Sequence, residues 1–246
     1  MNELKGKVAL VTGGSRGLGA AAARALAAQG ADVAISYVAS EAKAQAVVRE
    51  LEAQGVHSAA FQTDQADAAQ VEQLIARVVQ QFGRLDILVN NAGVFETGTI
   101  DTADTSAFDR QFAVNVGGTI AAIRAASKVM GDGGRIITIG SQLSTRVSQM
   151  GMADYAASKG AVTAYSKGAA RDLGSRNITV NVIQAGAFDT DLNPADSPYA
   201  GWQKEGSALN RFGRPEELAA GVVFLAGPAA SFVTGSVLTI DGGSLA

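Results

Sequence analysis

The chain has 246 residues, of which 47% are hydrophobic and 17% are charged, and its net charge at neutral pH is -3. This composition allows a large core, and because neither charge sign occurs in runs it indicates no nucleic-acid or charged membrane surface. The lack of cysteine excludes disulfides, thiolate metal sites and cysteine nucleophiles, while the single histidine, His57, cannot form a multi-histidine site, so we predict no metal.

Short apolar runs and helical runs alternate along the chain. The first strand begins close to the N-terminus and no apolar run approaches the length of a membrane span, so we expect a cytoplasmic protein without a signal or transit peptide. The predicted strands cover residues 7–12, 32–37, 56–61, 85–90, 135–140, 178–183 and 237–240. The first predicted helix ends at Gln29, and the others cover residues 41–54, 66–82, 105–130, 152–173 and 215–226. This alternation predicts one α/β domain over residues 1–246, a doubly wound parallel sheet with helices on both faces.

The least regular part of the chain is residues 191–211. It contains two prolines and two glycines, Pro194, Pro198, Gly201 and Gly206, and shows weak periodicity. Because this segment follows the carboxyl end of a strand, where ligands bind in open α/β sheets, we predict that it acts as a substrate lid.

A glycine turn follows the first strand, at Gly13, Gly17 and Gly19. Missing side chains let the backbone approach a pyrophosphate, and the helix that begins there offers free N–H groups. The spacing differs from the commonest dinucleotide fingerprint, and glycine in such a turn can also serve packing alone. Its position directly after the first buried strand favours nucleotide binding.

Tyr155 and Lys159 lie four positions apart in a predicted helix, so their side chains leave the same face. An ammonium group beside a phenol lowers the pKa of the phenol, which would let Tyr155 donate or accept a proton. The pair alone leaves open a second interpretation, a half-exposed tyrosine and a solvated lysine on an ordinary helix.

Four motifs in this order resemble the short-chain dehydrogenase/reductase family: Thr12-Gly13-x-x-x-Gly17-x-Gly19, Asn90-Asn91-Ala92-Gly93, Ser141 and Tyr155-x-x-x-Lys159. The resemblance spans the whole chain and is clearest to the branch of 3-oxoacyl-carrier-protein reductases and bacterial ketone reductases. It implies a Rossmann-type fold, a homotetramer and an NADPH-dependent oxidoreductase that interconverts ketones and secondary alcohols.

The resemblance implies catalytic roles for four residues. Tyr155 would be the general acid that protonates the carbonyl oxygen, and Lys159 would lower its pKa and hold the nicotinamide ribose. Ser141 would polarise the carbonyl group. Asn115 would hold a water in a proton relay to Lys159, although a polar residue here could instead satisfy helix backbone.

The resemblance also implies a cofactor site along the strand ends. Asn90 to Gly93 would close over the adenosine, Asp64 would reach the adenine, and Gly186 to Thr190 would receive the nicotinamide carboxamide. The predicted cofactor-binding residues are Gly13, Ser15, Arg16, Gly17, Leu18, Gly19, Tyr37, Ser40, Asp64, Gln65, Asn90, Asn91, Ala92, Gly93, Tyr155, Lys159, Gly186, Phe188 and Thr190.

The end of the second strand indicates the cofactor. Residues Ser36 to Ser40 include no carboxylate, whereas an NAD site has one there to accept hydrogen bonds from the ribose 2′-hydroxyl. We therefore expect NADPH rather than NADH, with Arg16, Tyr37 and Ser40 around the 2′-phosphate. Arg16 could also be a solvated loop charge, because arginine at this place equally resembles NAD-dependent members.

Two positions depart from the family pattern. Ser141 lies 14 positions before Tyr155, one more than the family spacing, which predicts an insertion in the intervening loop. Ser144 is the alternative donor. Ala185 stands where relatives have proline before Gly186, which could loosen the nicotinamide-side loop.

The sequence defines the substrate least. Residues 130–134 lack the basic side chains that an acidic acyl carrier would need, which favours a small, largely apolar ketone. A patch such as Arg171 with Arg176 keeps 3-oxoacyl-carrier-protein reduction open, and a cofactor-sensing protein without turnover is a remoter alternative. The predicted substrate contacts are Ser141, Gln142, Leu143, Tyr155, Tyr199 and Trp202, with Phe95 and Phe188 as further candidate walls; for the aromatic residues, loop packing or a subunit contact stays open.

Overall fold

The computed structural model describes residues 2–198 and 200–246, so the predicted substrate contact Tyr199 lies outside the described residues. The strands are β1 (Val8–Val11), β2 (Asp32–Tyr37), β3 (Ser58–Gln62), β4 (Ile87–Asn90), β5 (Arg135–Ser141), β6 (Thr179–Ala185) and β7 (Val237–Ile240). The helices are α1 (Gly17–Ala28), α2 (Glu41–Glu52), α3 (Ala68–Phe82), α4 (Thr105–Phe112), α5 (Thr119–Val129), α6 (Ala153–Leu173), α7 (Ala200–Glu205) and α8 (Pro215–Ala226). All seven strands are parallel, which confirms the predicted Rossmann-type sheet.

Two apolar clusters cover the two faces of the sheet. On one face, Leu26 of α1 and Leu218 of α8 pack with strand residues such as Val11. On the other face, Leu74 of α3 and Ile123 of α5 pack against a second set of strand residues. The strands are continuous apolar runs because both of their faces are covered. In the described part of the chain, no helix combines the length and apolarity needed to cross a membrane.

The strand order is β3-β2-β1-β4-β5-β6-β7, so the chain changes direction across the sheet between β1 and β4. Ligands of open α/β sheets bind at such a switch point, outside the carboxyl ends of the strands. The glycine turn follows β1, Asn91 follows β4, Ser141 ends β5 and Gly186 follows β6. The topology therefore brings the predicted motifs to one edge of the sheet.

The single helix predicted over residues 105–130 is wrong in one respect. A π-helical stretch, Ala113–Gly118, separates α4 from α5. Gly118 packs directly against the loop after β3, since a Cβ atom there would lie 2.2 Å from the carbonyl oxygen of Gln65. The wider turn carries Asn115, and such single π turns recur at functional sites.

The segment 191–211 contains a short helix, α7, that the sequence did not predict. Asn193 and Gln203 exchange two amide hydrogen bonds of 2.8 and 3.0 Å across the start of this segment. At its other end, the Ser207 hydroxyl and the Leu209 N–H both donate to the Gly242 carbonyl oxygen. The segment is therefore anchored to itself and to the C-terminal residues.

Candidate active site

The backbone of the glycine turn adopts a conformation and a close packing that side chains would prevent. Gly17 opens α1 with φ of +54°, and a Cβ atom on Gly19 would lie 2.4 Å from the Gly13 carbonyl oxygen. Arg16, at the N-cap position, gives α1 no side-chain capping bond, so the first N–H groups of the helix can serve an anionic ligand. These features fit the pyrophosphate of a dinucleotide.

The segment after β4 is fixed to the glycine turn. The Thr12 hydroxyl accepts hydrogen bonds of 3.0 Å from the backbone N–H groups of both Asn91 and Ala92. The Asn91 amide donates to the carbonyl oxygens of Thr12 and Gly13, at 2.9 and 3.2 Å. Asn90 is buried and donates weakly to the Thr138 hydroxyl, at 3.4 Å. The Asn91 side chain thus positions the two loops against each other.

Two cations lie at the outer end of the glycine turn. Arg16 Nη1 is 3.9 Å and Lys43 Nζ is 2.9 Å from the same carboxylate oxygen, Oδ2 of Asp191. The hydrogen bond from Lys43 lowers the pKa of Asp191, so this carboxyl group stays ionised. The sequence analysis missed Lys43, although it is the first basic residue after β2. Ser40 lies at the N-cap position of α2, beside this pair in sequence.

Several of the predicted cofactor contacts have buried side chains. Tyr37 is 8%, Phe188 5% and Gln65 3% exposed, which is as buried as Lys159 at 7% and Asn90 at 3%. Tyr37 and Phe188 belong to the apolar cluster under α1 and α8, and a Cβ atom on Gly213 would lie 2.5 Å from the Phe188 ring. The aromatic rings of Tyr37 and Phe188 therefore pack beneath the helices, and their contact with cofactor or substrate stays a prediction.

The remaining predicted cofactor contacts lie around this edge. The Thr190 side chain lies 3.6 Å from the position that a Cβ atom on Gly17 would take. Gly186 is packed against Asp241, since a Cβ atom would come within 2.6 Å of its Cα. Asp64 accepts from the Ala66 N–H at 3.0 Å and lies 4.0 Å from Arg110. Ser15, Leu18 and Gly93 are each partly buried in the loops that border the site.

Ser141 and Tyr155 meet at the end of β5. Ser141 is 8% exposed, and its Oγ accepts a 3.2 Å hydrogen bond from the Leu143 N–H. Burial raises the pKa of Tyr155 to about 12, opposed only in part by its hydrogen bond with the Ser141 side chain. The phenol therefore stays protonated across the whole neutral range.

Lys159 is buried behind the Tyr155 ring. Its Nζ donates to the Ile139 carbonyl oxygen at 3.0 Å and lies 5.8 Å from the centre of the ring. Burial lowers the pKa of Lys159 to about 8. Burial dominates the pKa of Tyr155 in this structure, and the charge of Lys159, 5.8 Å from the centre of the ring, acts in the opposite direction by favouring the ionised phenol.

Asn115 joins the loop after β4 to α6. Its Oδ1 accepts from the Val94 N–H at 2.9 Å, and its Nδ2 donates to the Val94 carbonyl oxygen at 3.0 Å and to the Ser158 hydroxyl at 3.1 Å. A Cβ atom on Gly93 would lie 3.2 Å from Asn115 Oδ1 and 3.5 Å from Lys159 Nζ. The amide satisfies loop backbone, not the helix backbone considered from sequence, and it lies beside Lys159.

The substrate side is apolar at its mouth. The Phe95 ring packs edge-on against the Tyr155 ring, with centroids 4.8 Å apart and planes at 84°, and Phe95 is 46% exposed. Gln142 and Leu143 form a 3-10 turn directly after Ser141. Trp202 lies on α7 and is 38% exposed. His57 is far from this edge, near Asp32 at the start of β2.

Comparisons with known proteins agree with this arrangement. A family model described as "Enoyl-(Acyl carrier protein) reductase" matches residues 13–244. A cyclic-di-GMP-binding biofilm dispersal mediator protein of Escherichia coli K12 is 43% identical over 98% of both chains, and a 3-oxoacyl-acyl-carrier-protein reductase of Staphylococcus aureus Mu50 is 40% identical over 96% of this chain and 97% of its own. A short-chain dehydrogenase of Burkholderia cenocepacia J2315, solved with NADP, is 50% identical over the whole of both chains with a TM-score of 0.98. From its motifs, its sheet and these relatives, the chain belongs to the short-chain dehydrogenase/reductase family.

Proposed function

We propose that this protein is an NADPH-dependent carbonyl reductase that reduces a small, largely apolar ketone and reversibly oxidises the corresponding secondary alcohol. The observation that carries the proposal is the meeting of Ser141 and Tyr155 at the sheet edge that also bears the glycine turn. Burial keeps the pKa of Tyr155 at about 12, so the phenol is in the proton-donating form that ketone reduction requires.

A nicotinamide dinucleotide held at the glycine turn would supply the hydride. The Leu143 N–H occupies one lone pair of Ser141 Oγ, so the serine hydrogen, which faces Tyr155 in this structure, would turn to the substrate carbonyl oxygen when substrate binds. Tyr155 gives its proton to the same oxygen as negative charge develops there. Lys159, the adjacent buried cation, stabilises the tyrosinate that remains. The Asn115 amide holds α6 and the loop after β4 together near Lys159.

Three observations support NADPH over NADH. Arg16 and Lys43 place two cations beside the glycine turn, and guanidinium and ammonium groups both bind phosphate. The Burkholderia relative was solved with NADP, and a metagenomic blue fluorescent protein that is 48% identical, with a TM-score of 0.97, was solved with NADPH. The residue that ends β2 is Tyr37, which provides no carboxylate for a ribose 2′-hydroxyl.

The charge distribution favours a free ketone over an acyl carrier. The Arg176 guanidinium donates to the carbonyl oxygens of Ser127 and Met130, at the C-terminal end of α5. It is therefore occupied, which weakens the patch with Arg171 considered from sequence. The Staphylococcus relative keeps 3-oxoacyl-carrier-protein reduction as the second candidate function.

The name of the Escherichia coli relative raises a third candidate, a nucleotide-binding regulator without turnover. A sensor has no use for a proton donor, whereas Ser141, Tyr155, Lys159 and Asn115 are all present and packed together. We therefore place turnover first.

One experiment separates the three candidates. NADPH and NADH oxidation is measured against a panel of aryl, alkyl and cyclic ketones and against an acetoacetyl thioester. Rapid ketone reduction with NADPH supports the proposal, and turnover of the thioester alone replaces it with the acyl-carrier function. If no substrate is turned over at any concentration while NADPH still binds, the protein is a sensor.

We also infer that the chain works as a homotetramer, with residues 191–211 closing over the substrate. Phe224 on α8 and Phe232 before β7 are large apolar side chains that are 43% and 101% exposed. Burying such a pair between copies would remove a costly apolar surface from water. Size-exclusion chromatography with light scattering should give about four chain masses, and a monomer would rule out the tetramer.

A further inference from the structure

Gln184 is a buried polar side chain near the carboxyl end of β6, between β5 and β7. It lies in β6, every residue of which is buried, and it is itself 5% exposed. Its Nε2 donates to the Ser141 carbonyl oxygen at 3.3 Å, to the Ser144 hydroxyl at 3.2 Å and to the Thr145 hydroxyl at 2.6 Å. All three acceptors belong to the end of β5 and the turn that follows it.

The other end of the amide fixes which way the side chain points. Oε1 of Gln184 accepts a 3.2 Å hydrogen bond from the Thr239 hydroxyl on β7. Because a hydroxyl donor faces Oε1 and hydroxyl and carbonyl acceptors face Nε2, the amide has one favourable orientation. Buried polar networks that are fully satisfied in this way hold the groups they contact rigidly.

The turn held by Gln184 is the one that orients the Ser141 hydroxyl. Residues Gln142 to Ser144 form a 3-10 turn, closed by a 2.7 Å hydrogen bond from the Ser144 hydroxyl to the Ser141 carbonyl oxygen. This turn presents the Leu143 N–H to Ser141 Oγ. A change in the turn would release that N–H and allow the serine hydroxyl to rotate.

We propose that Gln184 is a positioning residue for catalysis, which acts through the turn after β5 to hold the Ser141 hydroxyl towards the substrate oxygen. The inference rests on the proposed reductase function. The Gln184 amide also fastens the first residues of the long Ser141 to Tyr155 segment to the sheet.

The test is a double-mutant cycle with Gln184→Met and Ser141→Ala. Methionine has nearly the length of glutamine but cannot donate to the turn. We expect Gln184→Met to lower kcat for ketone reduction about tenfold, the size that corresponds to the loss of one buried hydrogen bond that holds a catalytic group in place. The Kd for NADPH, measured by fluorescence titration, should change less than about twofold, since Gln184 does not reach the glycine turn.

The cycle separates this inference from the proposed function. If Gln184 acts through Ser141, Gln184→Met should have no further effect on kcat in the Ser141→Ala background. An equal loss in both backgrounds overturns the inference while leaving the reductase assignment intact. If Ser141→Ala alone does not lower kcat, the assigned role of Ser141 fails, and with it the inference.

The matched control is Asn181→Leu on the same strand. Asn181 is also a buried amide, but it donates to the Val233 carbonyl oxygen and accepts from the Ser236 N–H, away from Ser141. It should lower Tm without changing kcat for ketone reduction. An equal fall in kcat for Asn181→Leu would show that any destabilisation of β6 suffices, which overturns the specific role of Gln184.

A second variant serves if Gln184→Met does not fold. Thr145→Val removes the shortest acceptor of the Gln184 amide, and Thr145 itself is exposed. Thr145→Val should lower kcat several-fold in the protein that retains Ser141. It should have no effect on kcat in the Ser141→Ala background. A kcat equal to that of the unmodified protein would contradict the inference.

Discussion

The two ends of the site are built from different interactions. At the catalytic end, Ser141 and Lys159 are buried and held by hydrogen bonds to backbone groups. At the phosphate end, the Arg16, Lys43 and Asp191 side chains are 47%, 56% and 47% exposed and are held by ion pairs. Buried hydrogen bonds fix geometry, whereas exposed ion pairs contribute little stability and are screened by salt. Changes at the catalytic end should therefore alter the chemical step, and changes at the phosphate end should alter cofactor affinity.

The largest expected effect belongs to Tyr155→Phe at the catalytic end. Only the proton donor is lost, so kcat should fall by about 10²–10⁴-fold, the usual contribution of a general acid. The Kd for NADPH should be unchanged, because the ring and its contact with Phe95 remain. Stopped-flow reduction and fluorescence titration measure the two quantities.

Tyr165→Phe is the matched control for that substitution. Tyr165 lies on the same helix, and its hydroxyl accepts a hydrogen bond from Arg124, away from Ser141. Its kcat should equal that of the unmodified protein. More than about a tenth of the activity remaining in Tyr155→Phe would contradict the role of general acid, given the usual size of that contribution.

Lys159→Met should raise the stability of the protein while it abolishes ketone reduction. Burial lowers the pKa of Lys159 to about 8 from 10.5, so below about pH 8 the folded protein holds a buried charge that disfavours folding. Between about pH 8 and 10.5 the folded protein releases this proton before the unfolded chain does, so stability rises with pH there. Removing the charge should raise the free energy of unfolding by on the order of 2 kcal/mol at pH 6, with a smaller gain at pH 10.

Urea unfolding of Lys159→Met and the unmodified protein at pH 6 and pH 10 checks this difference. Ketone reduction should be lost at both pH values. A variant that is less stable than the unmodified protein at pH 6 would show that the hydrogen bond from Lys159 to the Ile139 carbonyl oxygen outweighs the burial of its charge.

Lys43→Ala tests the phosphate end. Loss of one ammonium beside the 2′-phosphate should weaken NADPH binding about tenfold, with NADH binding and kcat unchanged. The salt dependence of NADPH binding should also decrease. Lys167→Ala, on α6, serves as the control of equal charge, and equal losses for NADPH and NADH in Lys43→Ala would place this lysine away from the 2′-position.

The smallest expected effect is that of Asp191→Asn. The carboxylate contacts both Arg16 and Lys43, so under the proposed cofactor site it would compete with a 2′-phosphate for the same cations. Its removal should strengthen NADPH binding by about threefold at low salt and by less at high salt. Isothermal titration at two salt concentrations measures this, and weaker binding would show that Asp191 supports the site instead of competing for it.

The sequence by itself determined the fold and pointed to the pair for which we propose catalysis. The five inner strands are buried and read directly as largely apolar runs, because both faces of a parallel sheet are covered there. The glycine turn was readable because Gly17 and Gly19 meet local steric needs, a positive φ and a close backbone approach. The i, i+4 spacing of Tyr155 and Lys159 likewise depends only on neighbouring residues of one helix.

The tertiary structure alone decided which side chains face the site and how strongly they ionise. The interior positions of Tyr37 and Phe188, and the high pKa of Tyr155, depend on helices and loops distant in sequence that exclude water from them. The π turn at Asn115 arises where its helix meets the loop after β3. Lys43 and Asp191, and likewise Gln184 and Thr145, become partners only when the chain is folded, because burial and long-range contacts are set by the packing of several elements together.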